Sequence, residues 1–161
     1  METETETATM AMASEVISIP EPPNVFIYNE NTKGDIPNDV THVKVDPSVK
    51  EIRDKAFRNC HSLVKVEFSE GLKVIGEGAF QFCRNLKHMN KLPSTLKEIH
   101  DWAFAVCRRL DSIQFPKRLQ VIGEAAFSSC HGLKRIKMSS AQVVIKWGAF
   151  APCYGLISGC K

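Results

Sequence analysis

No stretch of this 161-residue sequence approaches the roughly 20 apolar residues that cross a bilayer. A secretory signal is not evident either, because residues 1–14 open with acidic and threonine residues instead of a basic start and an apolar block. The formal net charge is only +3, which is too small to indicate nucleic-acid binding. We therefore expect an intracellular protein, cytoplasmic or nuclear, that has no contact with a membrane.

A repeat dominates the sequence from residue 52 onwards. The dipeptide Ala-Phe occurs five times, with its phenylalanines 23, 24, 23 and 23 residues apart. An isoleucine precedes each Phe by five positions, a cysteine follows it by three, and a leucine follows that cysteine by three. The phenylalanine, cysteine and leucine columns defined in this way are Phe57, Phe80, Phe104, Phe127 and Phe150; Cys60, Cys83, Cys107, Cys130 and Cys153; and Leu63, Leu86, Leu110, Leu133 and Leu156. Such aligned apolar columns indicate a tandem structural unit.

The spacing of apolar residues changes within each repeat. Large residues three apart around Ala-Phe predict a 3₁₀ or short α-helical turn. After the leucine the apolar residues alternate, as in Leu110, Ile113 and Phe115, which predicts a strand with one buried face. A Gly- or Pro-containing turn and a second short extended segment follow. One unit has too little apolar surface to fold alone, so we predict a repeat solenoid of about five rungs with short parallel β-strands.

The third repeat is one residue longer than the others. Leu92 takes the position of Phe115 in the next repeat, but it follows its leucine by six residues instead of five. The extra residue predicts a β-bulge near Asn90 and Lys91.

Two other repeated positions carry mixed residues. The position after the isoleucine is Gly76 or Gly123 in two repeats and a large residue, such as Lys146, elsewhere. We infer that this position does not require glycine. An acidic residue follows it, as at Asp54 and Asp101, and is expected to cap the following turn.

Three regions are predicted along the chain. Residues 1–23 hold a Thr/Glu tract and a proline cluster, which predicts a disordered tail. Residues 24–47 are predicted to form an N-terminal cap, and residues 48–161 the leucine-rich repeat solenoid. Its C-terminal end has no polar closing segment, although solenoids normally need capped ends. Either the sequence belongs to a longer array, or another molecule covers that end. This molecule is a partner protein or, in the case of self-association, a second copy of the chain.

The repeat pattern resembles the BspA-type leucine-rich repeat over roughly residues 36–157. The residues that carry this resemblance are Ile75 to Phe80, Cys107 to Pro116 and Ile122 to Leu133. The resemblance implies a right-handed solenoid that binds proteins or mediates adhesion, often on microbial cell surfaces, and that has no enzymatic activity. It brings no catalytic residues to this chain.

The cysteines invite a metal or redox interpretation. However, each of the five occupies one repeated position, and no pair shows the spacing of two to four residues of a zinc ligand arm. We therefore predict buried structural thiols, with a metal site and a disulfide as the alternatives. Cys160 lies outside the repeat and is expected to be the reactive thiol; a Cys153–Cys160 bridge stays open.

Histidines follow two of these cysteines. His61 and His131 are three rungs apart, about 14 Å at the usual strand spacing, which is too far to share an ion. We predict that both are solvent-facing turn residues.

The outward positions of the first strand form one candidate binding surface. This column is polar, mildly basic toward its C-terminal end and free of aromatic residues, so single-stranded nucleic acid is an unlikely ligand. An ordinary solvated face is the alternative interpretation. The candidate residues are Lys65, Glu67, His88, Asn90, Ser112, Gln114, Arg135 and Lys137, preceded by His42 and Lys44.

Two tryptophans form a second candidate surface. Trp102 and Trp147 occupy turn positions that hold small or charged residues in other repeats, and exposed Trp is enriched at binding hot spots. Packing against a neighbouring rung is the alternative for both. A third aromatic residue outside the repeated columns, Phe82, lies between two core positions.

The sequence favours a non-enzymatic scaffold that binds another protein. No spacing of serine, histidine and acidic residues builds a nucleophile with its base, and no cofactor or metal is expected. The alternatives are a piece of a longer structural or adhesive array and weak binding of a polyanion, including nucleic acid, through Lys134, Arg135 and Lys137.

Overall fold

The computed structural model describes residues 24–32, 34, 36–89, 91–139 and 142–157. The predicted disordered tail, Asn90 of the predicted bulge and Cys160 lie outside this range, as does any Cys153–Cys160 bridge.

The chain forms a parallel β-solenoid, as the repeat predicts, and its five phenylalanine-bearing rungs span about four turns. We number the rungs 1 to 5 by their phenylalanines, from Phe57 to Phe150. The strands that precede the Ala-Phe dipeptides form one five-stranded parallel sheet, called the second sheet. They are β3 (Glu51–Ile52), β5 (Val74–Ile75), β7 (Glu98–Ile99), β9 (Val121–Ile122) and β11 (Val144–Ile145).

The strands that follow the leucines form the first sheet. They are β1 (Val25–Tyr28), β2 (His42–Val45), β4 (Lys65–Glu67), β6 (His88–Met89), β8 (Ser112–Gln114) and β10 (Arg135–Lys137). β1, β2, β4 and β6 are paired in that order, and β8 pairs with β10. A single helix, α1 (Tyr154–Ile157), is present in the described part of the chain.

Among the described residues, β6 and β8 are not paired, so the first sheet falls into two parts there. The repeat with the additional residue, called the third in the sequence analysis because the cap was counted first, is rung 2 in this numbering, and its extra residue lies at this step. Leu92 is still buried, at 2% exposure, so the core position of this rung is kept despite the additional residue. The predicted bulge remains a prediction, because Asn90 is not described.

Strand register places equivalent residues over one another. Ile52 pairs with Ile75, Ile75 with Ile99, and Ile99 with Ile122. All four of these side chains are fully buried. The apolar columns read from the sequence therefore form a continuous narrow core.

The Ala-Phe half of each rung is a run of tight turns with little helix. The N–H of Phe57 donates to the carbonyl of Ala79 in the next rung, at 2.7 Å, whereas the N–H of Arg58 donates to Lys55 within its own rung, at 3.1 Å. A helix would direct every N–H along its own axis, but a solenoid needs donors that reach the neighbouring rung. Left-handed residues such as Lys55 (φ 58°) and Asn59 (φ 65°) turn alternate donors outward.

The five phenylalanines form a stack along the axis of the solenoid. Neighbouring ring centroids are 5.0 to 5.4 Å apart and their planes are 5 to 8° from parallel. Tyr28 lies against Phe57 at the N-terminal end, at 5.3 Å and 57°. The spacing matches that of paired strands, so each ring stacks on its neighbour at every rung.

Glycine is required after the isoleucine in rungs 2 and 4, contrary to our expectation. A Cβ on Gly76 would lie 2.7 Å from the backbone nitrogen of Asp54, and one on Gly123 would lie 2.4 Å from that of Asp101. The bulkier residues at this position belong to rungs 1, 3 and 5. The requirement alternates from rung to rung, which is why the mixed composition concealed it.

Candidate protein-binding surfaces

The first-sheet face presents polar side chains that point away from the core. His88, Ser112 and Gln114 are exposed, whereas Lys65 and Glu67 are half-buried. Lys65 and Glu67 form an ion pair at 2.5 Å, and the hydrogen bond from the Lys65 ammonium lowers the pKa of the Glu67 carboxyl. Asn90 lies outside the described residues.

The C-terminal end of this face carries the basic residues. Arg135 and Lys137 are exposed on β10. Asp111 pairs with Arg135 at 3.2 Å and with Lys134 at 3.8 Å. One carboxylate therefore offsets part of the positive charge on which polyanion binding would depend.

Both tryptophans point into solvent. Trp102 is 41% exposed and Trp147 is 82% exposed. Near Trp147, the last strand exposes Val144 and Ile145, at 60% and 50%. Rung 5 thus holds four of the eight exposed large apolar residues of the described chain, including Tyr154, whereas Val25 and Ile27 are exposed at the N-terminal end. Phe82, in contrast, is half-buried beneath the Arg58 guanidinium, which lies 5.9 Å from its ring centroid.

The repeated cysteines are buried at equivalent positions, at 3% exposure or less. Each thiol from rung 2 onward donates to the Phe carbonyl of the preceding rung, for example Cys83 Sγ to Phe57 O at 3.1 Å and Cys107 Sγ to Phe80 O at 3.3 Å. Burial raises the pKa of the Cys60 thiol to about 11 and raises that of the other four as well. These thiols therefore stay protonated at neutral pH, which disfavours both metal binding and nucleophilic attack.

The two histidines lie in different surroundings. The Nδ1 atom of His61 is 3.0 Å from the Phe82 carbonyl, and His61 is exposed as expected. His131 is half-buried and stacks on Tyr154 at 5.0 Å, so it does not simply face solvent. No group of three or more His, Cys, Asp or Glu side chains within the described ranges is arranged to hold a metal ion. No helix among those residues is long and apolar enough to span a membrane.

Sequence reasoning missed the role of two aspartates. The Asp54 carboxylate accepts a hydrogen bond from the N–H of Glu77, and Asp101 accepts one from Glu124, both at 2.7 Å. Each carboxylate thus caps the next rung instead of its own turn. The signal was the alternation of Glu-Ile-x-Asp with Val-Ile-Gly-Glu in rungs 1 to 4.

Comparisons with known proteins agree with this architecture. Residues 23–157 match six copies of the BspA type leucine rich repeat region. Among curated proteins, none matches the chain.

Several solved bacterial structures are similar. The leucine rich repeat protein of T. pallidum is 31% identical with a TM-score of 0.63, and the match covers 83% of this chain and 62% of that one. A leucine rich cell surface protein from Faecalibacterium prausnitzii is 28% identical with a TM-score of 0.60, covering 73% and 38%. A leucine-rich repeat protein from Bacteroides ovatus is 35% identical with a TM-score of 0.57, covering 62% and 26%.

The chain spans less than two thirds of the length of each of these structures. The repeated residues, the stacked rungs and the match over residues 23–157 agree on one assignment. The chain belongs to the BspA-type leucine-rich repeat family.

Proposed function

We propose that this chain is a non-enzymatic scaffold whose outer surface binds another protein. The exposure of Trp147, at 82%, is the main support. A large aromatic side chain in water contributes nothing to the core, and Trp is among the residues most enriched at the energetic centre of protein interfaces. Val144 and Ile145, two and three residues before it in the chain, are exposed as well.

The first-sheet face is the second part of the proposed surface. Its residues change from rung to rung while the core columns beneath them stay the same, so partner choice can vary without altering the fold. Polar side chains of this kind suit the rim of an interface around an apolar centre.

The test is affinity capture with immobilised protein, followed by titration of the purified partner. We expect Trp147→Ala to weaken binding by about tenfold or more, as for a hot spot. Trp102→Ala and Arg135→Glu probe the other candidate residues, and Lys117→Ala, at an exposed turn, is the control. A partner that binds the Trp147→Ala, Trp102→Ala and Arg135→Glu variants as tightly as the wild type and the control would rule out these surfaces.

The intracellular location remains part of the proposal. One similar structure is described as a leucine rich cell surface protein. Fractionation of cells with an antibody against the solenoid distinguishes the two locations: signal in the intracellular fraction supports the proposal, and labelling of intact cells contradicts it.

A further inference from the structure

The turns that carry the repeated cysteines form one side of the solenoid, which we call the cysteine side. Across the five rungs this side contains no aspartate or glutamate, whereas the whole chain has 18 acidic residues against 21 lysines and arginines. Five of those lysines and arginines lie on it. The cysteine side is therefore positively charged, although the net charge of the chain is only +3. Its segments are residues 55–62, 78–85, 102–109, 125–132 and 148–155.

Four exposed arginines of the cysteine side form no ion pair within the described part of the chain. Arg84 and Arg108 directly follow the cysteines of rungs 2 and 3, so they occupy equivalent positions in neighbouring rungs. Arg109 is two residues from Asp111 in the chain, but the Asp111 carboxylate pairs with two other basic side chains. Arg58 of rung 1 is the fourth. These guanidinium groups remain available to the carboxylates of a partner.

Apolar side chains lie among these arginines. Phe82 and Val106 are half-buried and occupy equivalent positions in rungs 2 and 3. The Phe82 carbonyl accepts a hydrogen bond from the N–H of Arg84, at 2.8 Å, and the Val106 carbonyl accepts one from Arg108, at 3.0 Å. Trp102 lies in the same turn as Val106 and is 41% exposed. Rungs 2 and 3 thus combine arginines with large apolar residues on the cysteine side.

The backbone of these apolar residues is left-handed. The φ angle is 65° at Phe82, 64° at Val106 and 59° at Trp102. This conformation disfavours bulky and β-branched side chains, and none of the other rungs has a large apolar residue at these positions. The three side chains are neither in the core nor suited to their backbone. Outliers of this kind are a reason to look for a binding role.

The surroundings of Phe82 favour a protein partner over nucleic acid. The Arg58 guanidinium lies 5.9 Å from the Phe82 ring centroid, so a base cannot stack on that face of the ring. The four arginines belong to rungs 1 to 3, which extend over only about 10 Å along the axis at the usual strand spacing. Nucleic acids bind mainly through many phosphate contacts, whereas a short protein segment can present carboxylates and an apolar side chain together.

We infer that the cysteine side of rungs 1 to 3 binds an acidic protein segment. Aspartate or glutamate side chains of the segment pair with Arg84 and Arg108, and an aromatic or aliphatic side chain between them packs against Val106 and the exposed part of Phe82. Arginine and tryptophan are among the residues most enriched at the energetic centres of interfaces. This inference rests on the proposed function, since it adds a surface and the chemistry of its partner to a protein-binding scaffold.

The test uses the full chain and labelled peptides at physiological ionic strength, with binding measured by fluorescence anisotropy. The first peptide has six glutamates around one tryptophan, the second has serine in place of the tryptophan, and the third has lysines in place of the glutamates. We expect the first to bind, the second to bind about tenfold more weakly and the third not to bind. Equal affinity of the first two peptides would mean that charge alone drives binding, and would overturn the inference.

Two further probes separate the classes of anionic partner. Labelled single-stranded oligothymidine tests nucleic acid, and sedimentation with vesicles that contain phosphatidylserine tests a membrane surface. We expect both to bind more weakly than the glutamate–tryptophan peptide. Tighter binding of either one would overturn the assignment of the cysteine side to a protein partner.

Variants locate the surface. Arg84→Glu and Arg108→Glu should each weaken binding of the first peptide by about tenfold or more, because a carboxylate replaces a guanidinium at the contact. Lys117→Glu makes the same change of charge at an exposed turn on the opposite side of the solenoid, and should leave the affinity within about twofold. Unchanged binding in both arginine variants, or an equal loss in all three, would contradict the inference.

Val106→Asn separates binding from a structural role. It introduces the residue that rung 1 has at this position, Asn59, and asparagine tolerates a left-handed backbone. We expect an unchanged or higher melting temperature together with weaker peptide binding. Unchanged binding of this variant would contradict the packing that we infer, and failure of every peptide to bind the wild type would overturn the inference as a whole. Neither result bears on the proposed function, which the captured partner and Trp147→Ala test without these peptides.

Discussion

Phe80 and Phe104 stack with their ring centroids 5.1 Å apart and their planes 8° from parallel. Phe104 makes the same contact with Phe127 on its other side, at 5.1 Å and 7°. Because the rings are fully buried, each inner phenylalanine of the column supports two neighbours. Removal of one ring should therefore weaken the packing of three rungs.

Phe104→Ala should lower the free energy of unfolding by about 3–5 kcal/mol, since it leaves a large cavity between two rings. Urea denaturation monitored by circular dichroism measures the change. Trp147→Ala is the matched control, because an 82% exposed aromatic side chain should cost less than about 0.5 kcal/mol. A loss below about 1 kcal/mol for Phe104→Ala would show that this column is not the core.

Gly123→Ala should destabilise the protein by about 1–3 kcal/mol, as for overpacking, because the new Cβ would lie 2.4 Å from the backbone nitrogen of Asp101. Lys146→Ala changes the equivalent position of rung 5 and should be close to neutral. Thermal unfolding of the two variants side by side gives the comparison. Equal stability of the two variants would show that the neighbouring rungs accommodate the added Cβ with no loss in the free energy of unfolding.

The buried thiols predict a loss of stability at high pH. Burial raises the pKa of Cys60 from 9.0 to about 11 in the folded state, so folding disfavours the thiolate. The stabilisation is complete below pH 9.0 and declines as the pH rises from 9.0 to about 11. Urea denaturation at several pH values in this range should show that the free energy of unfolding declines more steeply with pH for the wild type than for Cys60→Ala. Identical slopes would mean that Cys60 is not desolvated.

Alkylation tests the same thiols by their reactivity. At pH 8, native Cys107 should react with iodoacetamide far more slowly than it does in urea, because the thiolate is the reactive form and the side chain is fully buried. Mass spectrometry of the digested protein assigns the label to individual cysteines. Rapid labelling of Cys107 in the folded protein would contradict its position in the core.

Asp111→Asn tests the polyanion alternative. The change releases Lys134 and Arg135 from their shared carboxylate, so binding to heparin should strengthen and become more dependent on salt. Elution from a heparin column under a salt gradient measures both effects. Stability should change by less than about 1 kcal/mol, because the pairs are exposed. An unchanged elution position would exclude this cation cluster as a polyanion site.

The solenoid and its family were predictable because the sequence repeats its apolar residues at a nearly constant interval. Ile52, Phe57 and their equivalents are identical in every repeat, so a fold that buries these side chains in one inner rung buries them in every inner rung. The exposure of Trp102 was also expected, from its position among small or charged residues in the other repeats. The binding role of the tryptophans and of the first-sheet face stays a prediction.

Periodicity could not reveal how neighbouring rungs meet. Whether glycine is needed at position 123 depends on the backbone of Asp101, which is 22 residues earlier and belongs to the rung below. The same holds for the aspartate caps and for the ion pair of Lys146 with Asp101, whose Nζ and Oδ1 atoms are 3.5 Å apart. These contacts arise between residues that stacking brings together, and a spacing pattern within one repeat contains no information about them. The apolar columns were therefore evident from the sequence. The close approach of Gly76 and Gly123 to the backbone of the preceding rung is decided by the packing of the rungs.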